Sequence, residues 1–185
     1  MRAWLRRNIL GAVLMLIGLL IFGITIGYPD WRENLGANKP VFTVPAGATV
    51  KIDGVLWRLR VPDMPAPTFS KFDQPQPPNT RFVAYAFDRS QENKPAGLGE
   101  GWGTCIATVV GNDGRRWDGQ VGLRPVSIGD WERAEGYSPN CGSPGAFLTV
   151  MLVPSDAAVA AVDITFVANK GSTREHHFVR FTTPS

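Results

Sequence analysis

After residue 40 the chain contains short runs in which apolar and polar residues alternate with a period of two, the pattern of half-buried β-strands. Two such runs, 50–52 and 55–61, flank Asp53-Gly54, and Asp-Gly between alternating runs is a strong signal for a β-hairpin. Residues 81–88 are apolar on both faces of the predicted strand, which is typical of a central strand. This part of the chain is therefore predicted to form sheets.

Further strands are predicted where short apolar runs end at turn residues: 103–111, 115–121, 147–153, 162–168 and 176–183. The prolines within 62–80 remove backbone donors and predict a long loop. Residues 122–145 are predicted to form a loop with a single helical turn near 128–135. Short strands at this spacing, without a long amphipathic helix, predict an all-β, two-sheet antiparallel sandwich.

The N-terminus has a different pattern, because residues 9–26 contain no charged side chain and form a stretch long enough to cross a bilayer. Three arginines precede this stretch within residues 2–7, whereas Asp30 and Glu33 follow it. Cytoplasmic segments beside spanning helices carry an excess of Lys and Arg. We therefore expect the N-terminus in the cytoplasm and the rest of the chain outside.

This topology predicts four segments: a cytoplasmic tail at 1–8, a transmembrane helix in the lipid bilayer at 9–27, a polar stalk at 28–40 and an extracytoplasmic β-sandwich at 41–185. The alternative is a signal peptide cleaved near Gly27, which would release the domain as a secreted protein. The apolar run exceeds the roughly 7 to 15 residues usual for a signal peptide, and bulky isoleucines precede the cleavage position. The uncleaved anchor is therefore the expected form.

The distribution of charge argues against a nucleic-acid partner. The formal net charge is +3, but three arginines lie at the N-terminus, and residues 9–185 contain 16 basic and 16 acidic side chains. A domain that binds nucleic acid needs a basic surplus on its folded part. The hydrophobic fraction of 44% also excludes a disordered chain.

The chain has two cysteines, Cys105 on a predicted strand and Cys141 in a predicted loop. Exported domains form disulfides in an oxidising compartment. We therefore predict a structural Cys105–Cys141 disulfide rather than a reactive thiol.

The order and spacing of several short segments are similar to a known family: Ala46-Gly47-Ala48-Thr49-Val50 leading into Asp53-Gly54-Val55-Leu56-Trp57, then 81–88, 111–117, 145–157 and 162–166. Over about residues 44–183 the chain resembles the immunoglobulin-like extracytoplasmic domain of many uncharacterised lipoproteins and membrane-anchored proteins of Gram-positive bacteria, a domain related in fold to a small secreted mycobacterial antigen. The resemblance implies an immunoglobulin-like sandwich of about 8–9 strands outside the membrane. It brings no established catalytic residues.

Residue types that carry chemistry are sparse. His176 and His177 are adjacent on a predicted strand and point to opposite faces, so they cannot bind one metal ion together. Gly142-Ser143-Pro144-Gly145 is not the Gly-x-Ser-x-Gly turn of serine hydrolases. No metal, cofactor or catalytic residue is predicted.

Three aromatic residues form the predicted ligand- or partner-binding site. Trp102, Trp131 and Tyr137 lie in segments without strand periodicity, and these segments lead into the regions joined by the two cysteines. Aromatic side chains on ordered loops of a rigid sandwich are typical binding residues for glycans and proteins. The alternative is that they pack over the open edge of the sandwich.

The expected function is a membrane-anchored extracytoplasmic binding or interaction domain of the cell envelope, without enzymatic activity, whose partner is an envelope protein or glycan. A second hypothesis is an envelope enzyme that acts on glycans through Asp130, Glu132 and Glu135, and it requires two convergent carboxylates in a cleft. A third is an accessory subunit whose Gly23 and Gly27 let the spanning helix dock to a membrane complex.

Overall fold

The structure is a computed structural model that describes the following residues: 2–22, 25, 40–71, 75–99, 101–118, 125–168 and 177–184. The chain divides into two units, Met1–Lys39 and Pro40–Ser185.

In the N-terminal unit, Arg2–Phe22 form helix α1, whose side chains from Val13 to Phe22 are exposed. No helix within the described residues is long and apolar enough to cross a membrane. The transmembrane helix predicted at 9–27 is not confirmed. Residues 23, 24, 26 and 27 of that prediction, and residues 28–39 of the predicted stalk, lie outside the described part of the chain.

The described ranges of the C-terminal unit contain ten strands and one helix. In chain order they are β1 (Phe42–Val44), β2 (Thr49–Ile52), β3 (Val55–Arg60), β4 (Thr80–Gln91), β5 (Lys94–Pro95), β6 (Trp102–Gly111), β7 (Arg116–Asp118), α2 (Val126–Ala134), β8 (Phe147–Pro154), β9 (Val159–Ala168) and β10 (His177–Thr182).

The strands form two sheets that pack face to face, which confirms the predicted all-β sandwich. The first sheet has the order β1-β10-β9-β6-β7, and the second has the order β2-β3-β4-β5 with β8 also paired to β4. The prediction of purely antiparallel sheets is wrong for one pair, because β1 and β10 run parallel. Two parallel strands that are neighbours in a sheet need a long connection. Between β1 and β10 that connection is the rest of the domain.

The predicted hairpin at Asp53-Gly54 joins β2 and β3, with Ile52 paired to Val55. Both turn residues have positive φ, 47° at Asp53 and 87° at Gly54. Two positive φ values in a two-residue loop are the geometry that Asp-Gly favours, because this turn matches the twist of the flanking strands.

The core between the sheets contains a cluster of aromatic residues among aliphatic ones. Trp57 of β3 and Phe87 of β4 face Phe166 of β9 and Phe181 of β10, and each of the four is at most 1% exposed. The ring centroids of Trp57 and Phe166 lie 5.4 Å apart, and those of Phe87 and Phe181 lie 5.2 Å apart, both edge to face. The predicted central strand is confirmed, since β4 pairs with β3 on one side and with β8 on the other.

The outer face of the second sheet is covered by α2, where the sequence predicted a loop with a single helical turn. Ile128 is fully buried against Phe82 of β4, and the aromatic end of the helix packs over Ala84 and Ala86. The small alanine side chains leave room for the rings of Trp131 and Tyr137 on the sheet. A helix of nine residues that contains Gly129 has little stability alone, so tertiary burial rather than local propensity explains its formation.

Within the proline-rich loop predicted at 62–80, Ala66 and Thr68 are hydrogen-bonded to Ser127 of α2. The backbone N–H of Thr68 donates to the hydroxyl of Ser127 over 2.8 Å, and that hydroxyl donates to the carbonyl of Ala66 over 3.2 Å. Loop and helix together form a third layer on the second sheet.

Candidate binding surface

The two cysteines form the predicted disulfide. Cys105 of β6 is bonded to Cys141, which follows α2, and their Cα atoms lie 5.7 Å apart. This separation is within the range that a disulfide spans without backbone distortion. The bond connects the first sheet to the segment that carries the predicted aromatic site.

A buried arginine of β4 binds the backbone of the segment that follows α2. Arg89 of β4 is 4% exposed, and its guanidinium donates to the carbonyls of Cys141, Ser143 and Gly145. Its carbon Cζ lies 5.3 Å from the ring centroid of Trp57. Burial lowers the pKa of Arg89 to about 10, so the side chain remains charged at neutral pH.

Trp102 is part of the core and does not join the other two predicted aromatic residues. It is 6% exposed at the start of β6, and its indole lies 5.5 Å from the ring of Phe166. The indole Nε1–H donates to the carboxylate of Asp53 over 2.6 Å. Trp102 therefore packs within the sandwich, as the alternative interpretation of the three aromatic residues expected, and does not form part of an exposed binding site.

Trp131 and Tyr137 contact each other on the outer face of the second sheet. Both are partly buried, and their ring centroids lie 5.4 Å apart with the ring planes at 62°. The pair lies at the C-terminal end of α2 and rests on Ala84, Ala86 and other side chains of the sheet. The structure thus brings together two of the three predicted site residues.

Arg60 and Asp88, from adjacent strands, complete this group. Arg60 Nε and Nη2 donate to the two carboxylate oxygens of Asp88 over 3.3 and 3.2 Å. The Arg60 guanidinium also lies over the ring of Tyr137, 5.6 Å from its centroid. The hydrogen bond to Asp88 raises the pKa of Arg60. We name Arg60, Asp88, Trp131 and Tyr137 the aromatic surface.

Sequence reasoning did not identify Arg60 and Asp88 as site residues. Strand alternation correctly places Arg60 on the polar face of β3, opposite the side of Leu59. Nothing in the local pattern shows that Tyr137, far along the chain, covers this face. The contact depends on where α2 lies on the sheet, and the local sequence does not indicate that position.

The carboxylates required by the enzymatic hypothesis do not form a convergent pair at Asp130 and Glu132. Glu132 is 4% exposed, whereas Asp130 is exposed and accepts a hydrogen bond from Arg133. Residues two positions apart on a helix point in nearly opposite directions. Glu135 lies at the end of α2 and is exposed.

Metal ligation at the two histidines lies outside what the structure describes, because His176 and the side chain of His177 are not among the described residues. Within the described ranges, no three His, Cys, Asp or Glu side chains are grouped as a metal site.

Comparison with known proteins gives one structural likeness. No family model and no curated protein sequence matches the chain. The crystal structure of an uncharacterized β-sandwich protein from Clostridium difficile 630 aligns with 79% of this chain and 95% of its own, at 11% sequence identity and a TM-score of 0.36. The β-sandwich assignment rests on the two sheets themselves, and membership of the lipoprotein-related family stays a prediction.

Proposed function

We propose that the chain is an exported, membrane-anchored binding domain of the cell envelope with an immunoglobulin-like fold. Its anchor is the N-terminal segment 9–27, and it binds an envelope glycan or protein through the aromatic surface. The observation that carries the proposal is the partly exposed Trp131–Tyr137 pair beside the Arg60–Asp88 ion pair on the outer face of the second sheet.

Export is supported by the disulfide between Cys105 and Cys141. Disulfides persist in oxidising compartments and are rare in the cytosol of most organisms. The uncharged run at 9–26, with arginines before it, supports the same direction of export.

The aromatic surface has the properties of a binding hot spot. Trp, Tyr and Arg are the residue types that contribute most to binding energy when they are held rigidly. Trp131 and Tyr137 restrict each other, and the bonds from Arg60 to Asp88 hold the guanidinium over Tyr137. Side chains that are ordered before binding lose little conformational entropy when a ligand arrives.

The test compares two partly buried tryptophans, Trp131 of α2 over the second sheet and Trp117 of β7 in the first sheet. Purified full-length protein in detergent is sedimented with isolated cell-envelope material, and the bound fraction is measured for the wild type, Trp131→Ala and Trp117→Ala. Trp117 of β7 is also partly buried, with the Arg115 guanidinium 5.4 Å from its ring, and serves as the matched control.

We expect Trp131→Ala to weaken binding by about 2 kcal/mol, roughly 30-fold, and Trp117→Ala to leave it unchanged. Equal binding by all three proteins would contradict the proposed site. Absence of binding by the wild type would contradict the proposed function.

A further inference from the structure

We infer that the ligand of the aromatic surface is an anionic glycan. This inference rests on the proposed function and adds the chemical class of the ligand. It is carried by a group of exposed cations that shares the outer face of the second sheet with Trp131 and Tyr137.

Strand register places these cations on one face. Along β3, Leu56, Arg58 and Arg60 are exposed and alternate with buried residues. Lys51 of β2 pairs with Leu56, and Arg58 pairs with Asp88 of β4. Directly paired residues of neighbouring strands project from the same side of a sheet. Lys51, Arg58 and Arg60 therefore lie on the face that carries the aromatic surface.

On the strands of this sheet, the charged side chains of the outer face are mostly positive. Residues 40–185 contain 14 Lys and Arg and 14 Asp and Glu, so the domain as a whole is balanced. On β2, β3 and β4 the outer face carries three cations and one carboxylate, Asp88, while α2 and its C-cap add Asp130, Glu132, Glu135 and Arg133 over the same sheet. Both oxygens of Asp88 accept hydrogen bonds from Arg60. Among the described residues, Lys51 and Arg58 form no salt bridge.

The outer face of the first sheet shows the opposite arrangement. Asp163 is fully buried and binds both Arg180, over 2.7 and 2.8 Å, and Arg116, over 2.9 Å. Its two arginines are thus engaged by a carboxylate of the protein. The second sheet is the face on which cations remain available to a ligand.

The aromatic rings and the cations of this face match the ring and the acidic group of an acidic sugar. The apolar face of a pyranose ring packs on aromatic rings such as Trp131, and the Arg60–Asp88 pair presents both donors and an acceptor to sugar hydroxyls. A carboxylate or phosphate on the same chain pairs with Arg58 or Lys51, since guanidinium groups bind both anions through paired N–H donors.

The probe is the polysaccharide released from the envelope of the cells that produce the protein, in three forms: untreated, with carboxylates reduced to alcohols, and with phosphates removed by hydrofluoric acid. Binding of full-length protein to each form is measured at low and high salt. Loss of binding after carboxylate reduction identifies a uronate-type ligand, and loss after phosphate removal identifies a phosphate polymer.

Charge-neutral variants test the role of this face. We expect Lys51→Gln and Arg58→Gln each to weaken binding to untreated polysaccharide by about two- to five-fold, and high salt to reduce the difference. Lys94→Gln is the matched control and should bind like the wild type. Lys94 is an exposed lysine of the same sheet, and its pairing with Gln91 places it on the opposite face.

Several results would overturn the inference. Equal binding to all three polysaccharide forms, still sensitive to Trp131→Ala, would keep the binding function but exclude an anionic ligand. If Lys94→Gln weakens polysaccharide binding as much as Lys51→Gln and Arg58→Gln do, the attraction is non-specific. Lipid vesicles containing phosphatidylglycerol are a further arm, and vesicle binding that depends on Lys51 and Arg58 while polysaccharide binding does not would assign this face to the membrane surface.

Discussion

The indole of Trp131 meets the ring of Tyr137 edge to face because the end of α2 brings the two residues together. Gly136 adopts a positive φ of 71°, the N–H of Gly136 donates to the carbonyl of Arg133, and the N–H of Tyr137 donates to the carbonyl of Glu132. These two bonds form a Schellman motif, in which the residue after the glycine packs against the last turn of the helix. The aromatic pair is therefore a product of helix termination.

Replacing Gly136 with alanine tests this relationship. No atom lies within 4 Å of a Cβ built at this position, so the cost comes from the left-handed backbone alone. We expect Gly136→Ala to reduce the free energy of unfolding by about 1 kcal/mol and to change the fluorescence of Trp131. Gly129→Ala, inside α2 with similar space around it, should be neutral or stabilising in the same thermal melts. Equal effects of the two substitutions would contradict the motif.

Trp57 and Trp131 should separate stability from binding. Trp57 is 1% exposed between the sheets, so Trp57→Ala leaves a cavity and should cost about 3–5 kcal/mol in chemical denaturation. Trp131 is partly exposed, and Trp131→Ala should cost much less stability while it weakens ligand binding. If the two variants unfold at the same denaturant concentration, the aromatic pair is a packing element and the binding proposal is wrong.

The buried Arg89 should be essential to the segment that follows α2. Arg89→Met leaves the carbonyls of Cys141, Ser143 and Gly145 without a buried donor, so we expect a loss of about 3 kcal/mol in the free energy of unfolding. Arg58→Met, an exposed arginine of the same sheet, should change stability by less than about 0.5 kcal/mol. A similar small change for Arg89→Met would show that other contacts position this segment.

Membrane topology is a separate prediction. With residues 1–8 in the cytoplasm, 9–27 in the bilayer and the domain outside, protease added to cells with permeabilised walls should remove a C-terminal epitope tag and leave an N-terminal tag intact. Full protection of the C-terminal tag would reverse the orientation. If the domain is found in the medium of cells to which no protease was added, the result would instead support cleavage near Gly27.

Features determined by neighbouring residues could be predicted from the sequence. Asp53-Gly54 specifies a turn within four residues, and the alternation in 55–60 specifies which side chains of β3 face the core. The buried strand β4 is visible because both of its faces are apolar. The Cys105–Cys141 bond follows from having two cysteines in a domain expected outside the cell.

Features that depend on contacts distant in sequence could not be predicted in this way. Trp102 precedes a register shift between β6 and β9, so alternation within β6 does not indicate where its side chain lies. Helix α2 forms by burying Ile128 against Phe82, which is far away in the chain. The contact of Arg60 with Tyr137 depends on the position of that helix, so it could not be predicted from the sequence either.

The central claim is that ligand binds over Trp131 on the outer face of the second sheet, and fluorine NMR tests it most directly. The chain has six tryptophans, so full-length protein labelled with 5-fluorotryptophan gives resonances that single Trp→Phe variants assign. On addition of soluble envelope polysaccharide or envelope protein fractions, we predict that the Trp131 resonance shifts or broadens while those of Trp57 and Trp117 do not. A shift at Trp117 with Trp131 unchanged would place the ligand on the other sheet and contradict the account.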